Sequence, residues 1–208
     1  CVCVSVCLCV CVSVCVFLSV CLCVCVFVSQ FLCQVVSVQA IGLGHSWTPT
    51  FFCAADEHDA EYDLAVNVAL SELRDATVVV DEAAGTAVVD AGLKVEVVLD
   101  YLAGFGEGYT LPSFPFYIKQ TLIGALATGT HGSSTTAGSL AEQVLWLDLM
   151  GPDGTIKRID AERHGKIMDA VRVSAGRLGI VLRAAFRIVP NEVQTETESR
   201  THVYAHRT

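Results

Sequence analysis

The sequence predicts an α+β fold, because short strand-like segments outnumber helix-like ones and several of them pair as hairpins. Apolar residues that alternate with polar ones, or that are β-branched, mark the strands, and a period of two is typical of a half-buried strand. All 35 charged residues (13 Lys and Arg plus 22 Asp and Glu) fall in 56–208. A body of about 150 residues buries roughly 68–70% of the surface of its unfolded chain, which is enough for one core.

The first predicted strand is Val35–Ile41, which leads into Gly42. Thr77–Val80 and Thr86–Ala91 are predicted to form a β-hairpin around the turn at 83–85. A second hairpin is predicted for Leu145–Met150 and Thr155–Ile159, because Gly151-Pro152-Asp153-Gly154 has the composition of a turn.

Two helices and a final strand complete the predicted elements. The apolar spacing in Lys94–Ala103 is helical and ends at Gly104, and a short helix is expected at Thr121–Ala127 after the bend at Leu111–Pro115. The glycine-rich segment at 104–108 lacks the G-x-G-x-x-G spacing of a nucleotide loop, so we interpret it as a helix end and a turn. The alternation in 180–188 predicts a strand with one buried face.

The amino terminus has a different character. From Cys1 to Ser29 every odd position is Cys, Ser or Phe and every even position is Val or Leu. A thymine–guanine repeat encodes Cys-Val, so we interpret residues 1–34 as translated microsatellite DNA from a gene-model fault. The alternative is a membrane span, since the uncharged tract exceeds the roughly 20 residues that a span needs. We expect residues 1–29 to make few contacts with the core, because a pattern that is apolar on both faces specifies no register.

Cysteine usage and charge exclude several classes of protein. Ten of the 11 cysteines lie in residues 1–33, so neither a disulfide framework nor a zinc site is predicted in the body, and we predict no metal site. The net charge of −9 argues against nucleic acid, whose phosphates are neutralised by Lys and Arg. His58, His164, His202 and His206 lie in polar stretches and are expected to be solvated surface residues.

Two glycine-flanked histidine motifs predict the function. They are Gly42-Leu43-Gly44-His45-Ser46-Trp47 and the segment 127–134, which contains Thr128-Gly129-Thr130-His131-Gly132-Ser133. Glycine lets main-chain N–H groups approach a ligand closely, and such turns form anion-binding concavities. Two such loops about eighty residues apart indicate one long ligand with a diphosphate in its middle, which is a nucleotide cofactor. We expect the two loops to face each other across one cleft.

The order of the motifs resembles the FAD-binding domain of the vanillyl-alcohol oxidase / p-cresol methylhydroxylase (PCMH) superfamily. The match is best to its sugar-lactone and alditol oxidase branch, and it covers roughly 35–190. The pattern of that branch is G-x-G-H-S, a strand pair, L-P-x-x-P, T-x-x-G, A-T-G-T-H-G-S, a hairpin and L-G-I-V. The resemblance implies an FAD-binding PCMH-type domain at 35–190 and a polar tail at 191–208.

The resemblance also implies which residues contact FAD. The implied set consists of the two loops, two residues at the start of the short helix and two of the late L-G-I segment: Gly42, Leu43, Gly44, His45, Ser46, Thr121, Gly124, Thr128, Gly129, Thr130, His131, Gly132, Ser133, Gly179 and Ile180.

Each of three side chains has two possible interpretations, one functional and one structural. In the resembling family the histidine at the position of His45 lies beside the flavin and in many members carries it covalently; otherwise it caps a loop. We favour a structural role for His131, as a partly buried imidazole that holds a loop whose N–H groups and hydroxyls contact FAD. Ser174 is either a cofactor contact or a hydroxyl at a helix end.

Departures from the family limit what the resemblance assigns. The family carries Arg where Gln39 stands, an amino-terminal lobe where this chain has its repeat, and a cap domain after the FAD domain. The expected fold therefore has an incomplete amino-terminal lobe and no cap domain, and no catalytic residue is assigned.

The implied function is hydride transfer from a C–H group that bears a hydroxyl to FAD. The implied partners are a sugar-lactone or polyol substrate and then oxygen or another electron acceptor. Two alternatives stay open: an inactive flavin- or nucleotide-binding module, and a membrane-anchored protein in which residues 1–33 span the bilayer. Neither the location in the cell nor the oligomeric state follows from the sequence.

Overall fold

The computed structural model describes residues 36–46, 64–73 and 75–191. The helices are α1 (Val95–Ala103), α2 (Leu122–Ala127), α3 (Leu140–Gln143) and α4 (Ala161–Arg172), with a 3-10 turn at Leu70–Glu72. The strands are β1 (Val36–Ile41), β2 (Leu64–Ala69), β3 (Val78–Asp81), β4 (Thr86–Asp90), β5 (Tyr109–Thr110), β6 (Val144–Met150), β7 (Ile156–Asp160), β8 (Ile180–Arg187) and β9 (Val189–Pro190).

The largest sheet of the described residues has five strands in the order β3-β4-β8-β6-β7. Both predicted hairpins are confirmed as its edges: β3 pairs antiparallel with β4, and β6 pairs antiparallel with β7. Strand β8 lies between the two hairpins and is antiparallel to both β4 and β6. Two local hairpins with short turns are thereby joined by a strand from far along the chain.

The prediction of one buried face for β8 is wrong. Val181 and Ala185 are buried, and so are Ala184 and Phe186 on the opposite face. Because β8 is the central strand, neighbouring elements cover both of its faces, and such strands have nearly continuous apolar sequences rather than alternating ones.

The core lies between the five-stranded sheet and the helices. Helix α1 buries Val95, Val98 and Leu102 on one face, at the spacing that predicted it, and it ends at Gly104 as expected. The predicted short helix is confirmed as α2 and is almost entirely buried. The segment at 104–108 is confirmed as a turn, with positive φ angles at Gly106 and Gly108.

Helix α4 was not predicted. Asp160 caps its first turn, accepting a hydrogen bond from the Arg163 N–H at 2.7 Å, and Gly165 interrupts the helical φ angles with φ +41°. His164 is half-buried, and its Nδ1 lies 3.1 Å from the Asp160 N–H. The expectation that His164 is a solvated surface residue holds in part, because 31% of its side chain is exposed while the helix holds its ring against the cap.

A separate pair of parallel strands carries the first glycine motif. Strand β1 pairs with β2 from Val36 opposite Leu64 to Ile41 opposite Ala69. Strand β1 confirms the prediction for this segment, whereas β2 was not predicted. A further antiparallel pair joins β5 to β9.

Several predictions concern residues outside the described part. They include the repeat at 1–34 with its cysteines, Trp47, His58, and the tail after Asn191 with His202 and His206. Within the described ranges, no helix has both the length and the apolar character that a bilayer crossing requires.

Candidate functional site

The loop after β1 packs directly on the start of helix α2. A Cβ atom built on Gly42 would contact the Thr121 hydroxyl, so a larger residue has no space there. Gly44 has a φ of +73°, a left-handed conformation that costs glycine little because it lacks a Cβ atom. The loop therefore needs its two glycines for different reasons, close packing at the first and backbone conformation at the second.

Thr121 is held between two glycines at the start of α2. It is 3% exposed, and a Cβ atom on Gly124 would lie 2.5 Å from its Oγ1 atom. The start of α2 is tied to the start of α1, because the Leu122 N–H donates to the Leu93 carbonyl at 2.8 Å. The T-x-x-G motif thus forms a closely packed support beneath the first loop.

The second loop closes the end of α2. The Gly129 N–H donates to the Leu126 carbonyl and the Thr130 N–H to the Ala125 carbonyl, both at 3.0 Å. The Thr128 hydroxyl donates to the same helix end. The expectation that the N–H groups of Gly129 and Thr130 are free for a ligand is wrong, because they satisfy carbonyls that the helix leaves without partners.

His131 lies on the outer side of this loop. Its ring is exposed, and its Nδ1 is 2.8 Å from the Gly132 carbonyl. Gly132 packs against Ser113 and Phe114 of the proline-flanked bend, where a Cβ atom would collide. His131 is thus more exposed than the partly buried ring we expected.

Two adjoining cavities lie between these segments. Both are lined by Gly42, Gly44, Ser46, Thr121, Gly124 and Thr128. The first cavity continues to Gln39, Ala40, Ile41, Leu70, Gly92, Ile123, Ala127, Ser174, Ala175, Gly176, Gly179 and Val181. The second adds Leu43, His45, Gln120, Ala125 and Thr130.

The cavities gather most, but not all, of the residues that the sequence singled out. Gly129, His131, Gly132, Ser133 and Ile180 are not among the lining residues of either cavity. Conversely, the sequence singled out neither Gln39 as a contact nor Gly92 and Gly176. Both glycines have positive φ angles, and isolated glycines between apolar segments were the available signal.

A tight turn at 174–176 forms one wall of the first cavity. The Gln39 side-chain amide donates to the Ala175 carbonyl at 3.1 Å, and the Ala175 N–H donates to the Ala127 carbonyl at 2.9 Å. Ala175 has a φ of +52°, which is uncommon for a residue with a Cβ atom. A Cβ atom on Gly176 would collide with the Gln39 amide. The turn is therefore fixed to both β1 and α2.

Ser174 lies in this wall. Its Oγ atom is buried and has no hydrogen-bond partner among the described residues. Helix α4 ends at Arg172, and the hydroxyl does not bond to that helix end. Ser174 therefore lies just beyond a helix end, as one interpretation expected, but its hydroxyl makes no hydrogen bond there.

His45 projects from the first loop next to an aromatic side chain. Its ring and that of Tyr117 make an edge-to-face contact with centroids 5.0 Å apart, and its Nδ1 lies 3.5 Å from the Tyr117 hydroxyl. Such a contact restricts the orientation of the imidazole.

No charged side chain is among the described residues that line the two cavities. Those residues also contain no group of three or more His, Cys, Asp or Glu side chains placed to hold a metal ion. A ligand phosphate in these cavities would therefore be held by main-chain dipoles and hydroxyl groups rather than by Lys or Arg.

A buried ion-pair network lies elsewhere, on the five-stranded sheet. Asp148 is buried and accepts hydrogen bonds from Arg158 at 2.8 Å and from Arg183 at 2.7 Å. Burial by itself raises the pKa of the Asp148 carboxyl, but the two arginines outweigh it and hold that pKa below its usual value. The Arg158 guanidinium also lies 3.6 Å above the Trp146 ring.

Comparison with known proteins agrees with this architecture. A family model described as the FAD binding domain matches residues 33–160. The chain belongs to the FAD-binding domain family. This confirms the resemblance to PCMH-type domains, the α+β fold and FAD as the cofactor.

Several relatives of this FAD-binding domain are sugar-lactone oxidases. It is 30% identical over 158 residues to D-arabinono-1,4-lactone oxidase of Saccharomyces cerevisiae, covering 74% of this chain and 28% of the yeast protein. The identity to the enzyme of the same name from Eremothecium gossypii is 33% over 156 residues, covering 74% and 27%. Mouse L-gulonolactone oxidase is 32% identical over 91 residues, covering 44% and 21%. The chain thus spans less than a third of the length of these relatives.

A solved structure supports the fold. Physcomitrella patens BBE-like 1 superposes with a TM-score of 0.65 at 23% identity, over 80% of this chain and 34% of that protein.

The described residues fit FAD. Gly42 and Gly124 keep side chains out of the space around Thr121, and a buried hydroxyl in the cavity wall lacks a partner. The described lining offers hydroxyl groups to a diphosphate, including that of Ser174, and contains no charged side chain.

Proposed function

We propose that this chain is the FAD-binding part of a flavin-dependent oxidoreductase that acts on CH–OH groups of sugar lactones or polyols. The observation that carries the proposal is the pair of adjoining cavities lined by both the G-x-G-H-S loop and the T-x-x-G helix. The names of the relatives, D-arabinono-1,4-lactone oxidase and L-gulonolactone oxidase, support the substrate class. We assign residues 35–190 to this domain.

The proposed work of the chain is to bind and orient the cofactor. When bound, FAD supplies the hydride acceptor for oxidation of a carbon that bears a hydroxyl group. Gly42 and Gly44 let the main chain of the first loop approach the cofactor, while Thr121 and Gly124 support that loop from below. The close packing fixes the geometry, and pre-organised groups bind without a further ordering cost.

We place the flavin ring at the second cavity, beside His45. His45 is the first long polar side chain after the two glycines and lines only that cavity, and the Tyr117 contact restricts its ring. We further propose that His45 is the covalent attachment point of the flavin. The remaining predicted contacts, which are Gly129, His131, Gly132, Ser133 and Ile180, line neither cavity.

We propose a sugar-lactone or polyol as the substrate partner and oxygen or another acceptor as the oxidant of the reduced flavin. No residue of this chain is assigned to act on the substrate. We draw the substrate class from the relatives, of whose length this chain matches less than a third.

The test is direct. The protein translated from the complete transcript is purified and mixed with D-arabinono-1,4-lactone, L-gulono-1,4-lactone or a polyol under anaerobic conditions, and the flavin absorbance near 450 nm is followed. We expect one FAD per chain and bleaching by at least one lactone or polyol. Bound FAD that none of them reduces would support an inactive flavin-binding module, and the absence of bound FAD would refute the proposal.

A further inference from the structure

We infer that the Ser174 hydroxyl binds the adenosine diphosphate half of FAD, an inference that rests on the proposed function. The first observation is the hydroxyl itself. Ser174 Oγ is buried and has no partner among the described residues, and an unsatisfied buried polar group destabilises a fold. A ligand in the cavity that Ser174 lines would supply the missing hydrogen bond.

The second observation is the rigidity of the turn that carries Ser174. Two hydrogen bonds fix the next residue, Ala175. Its carbonyl accepts from the Gln39 side-chain amide at 3.1 Å, and its N–H donates to the Ala127 carbonyl at 2.9 Å. The Arg177 N–H closes the turn onto the Ser174 carbonyl at 3.0 Å. The Ser174 side chain is thus held in place before any ligand arrives.

The third observation is the position of Ser174 relative to His45. Ser174 lines only the first cavity, and His45 lines only the second. Between them lie the residues that line both cavities, including Gly42 and Thr121. If the flavin ring lies beside His45, the first cavity receives the other half of the cofactor. Its apolar wall of Leu70, Ile123 and Val181 suits a flat base.

The chemistry of a hydroxyl determines the expected effect. A serine can donate to a phosphate or ribose oxygen, and hydrogen bonds to a charged acceptor are stronger than those between neutral groups. Removal of the hydroxyl should weaken binding about tenfold, because such bonds contribute more than neutral ones. The ligand-free protein should lose nothing, since its hydroxyl has no partner to lose.

The experiment measures dissociation constants of FAD, ADP and FMN for the purified chain and for Ser174→Ala and Ser174→Cys. The melting temperature of each ligand-free protein is measured in parallel. We expect Ser174→Ala to weaken FAD and ADP by the same factor of about ten, to leave FMN unchanged, and to leave the melting temperature equal or higher. Ser174→Cys should fall between Ser174→Ala and the unmodified protein, because a thiol is a weaker hydrogen-bond donor.

Thr77→Val is the matched control. The Thr77 hydroxyl has a partner, donating to Asp90 at 2.9 Å, and Thr77 lines neither cavity. This variant should melt at a lower temperature and bind all three ligands normally. The inference is overturned if Ser174→Ala binds ADP as tightly as the unmodified protein, if it weakens FMN instead, or if it melts like Thr77→Val. If the unmodified chain binds none of the three ligands, the proposed function fails as well.

Discussion

Substitution of Gly124 tests how closely helix α2 packs against the Thr121 side chain. A Cβ atom at this position would lie 2.5 Å from the Thr121 Oγ1 atom and 3.9 Å from its Cβ. The first distance is a collision and the second is an ordinary contact. Gly124→Ala should therefore be harmful only while the Thr121 side chain is present. The side chain makes no capping hydrogen bond, so Thr121→Ala leaves the main chain of the helix start intact.

Two effects of opposite sign set the magnitude. Inserting a methyl group into a packed site costs about 1–3 kcal/mol, whereas alanine in a helix is more favourable than glycine by about 1 kcal/mol. Gly124→Ala should then change the free energy of unfolding by between about 0 and −2 kcal/mol in the unmodified chain. In the Thr121→Ala background it should raise that free energy by about 1 kcal/mol.

The assay is urea denaturation of the four proteins of this double-mutant cycle. We expect the effect of Gly124→Ala to reverse its sign between the two backgrounds, with a coupling of about 1–3 kcal/mol. Gly104→Ala is the control, since a Cβ atom there meets nothing closer than 3.5 Å. The same stabilisation by Gly124→Ala in both backgrounds would show that the close approach does not exist.

Three further predictions concern other contacts. Asp148→Asn should lower the free energy of unfolding by about 1–3 kcal/mol near pH 7. The pKa of Asp148 is lowered in the folded state, so the stabilisation by its carboxylate is present above the pKa of the unfolded chain and is lost as the pH falls through the folded pKa. Urea denaturation should therefore show the stability difference between the unmodified protein and Asp148→Asn shrinking below about pH 4. Gln39→Leu removes the donor to the Ala175 carbonyl and should weaken FAD binding severalfold in a fluorescence titration. Gln39→Glu also lacks the donor and should weaken FAD binding to a similar degree. His45→Ala in the protein from the complete transcript should abolish acid-stable flavin fluorescence on denaturing gels, and fluorescence that survives would exclude His45 as the attachment point.

The sequence predicted the local elements well. Both hairpins, β1, α1 and α2 follow from spacing and turn composition within about twenty residues, where propensity and periodicity act directly. The two glycine-histidine motifs predicted a shared cleft, and five residues of the first motif line the cavities with Thr128 and Thr130 of the second.

The elements and site residues that the sequence did not predict depend on contacts between distant segments. Strand β2 is a strand because it pairs with β1 in parallel, and a parallel partner is not signalled by any nearby turn. Helix α4 contains Gly165 with a non-helical φ angle, which weakens its helical pattern. The roles of Gln39 and Ser174 arise from a turn more than a hundred residues away from β1, and no local pattern reveals such a pair.

Hydrogen exchange measured by mass spectrometry, with and without FAD, tests the central claim most directly. The claim is that FAD binds in the adjoining cavities between β1, α2 and the turn at 174–176. We predict that FAD slows exchange in 36–46, 121–130 and 174–181, and that exchange at the hairpin turn Gly151–Gly154 does not change. Binding of FAD that protects other segments and leaves these three unchanged would contradict the account.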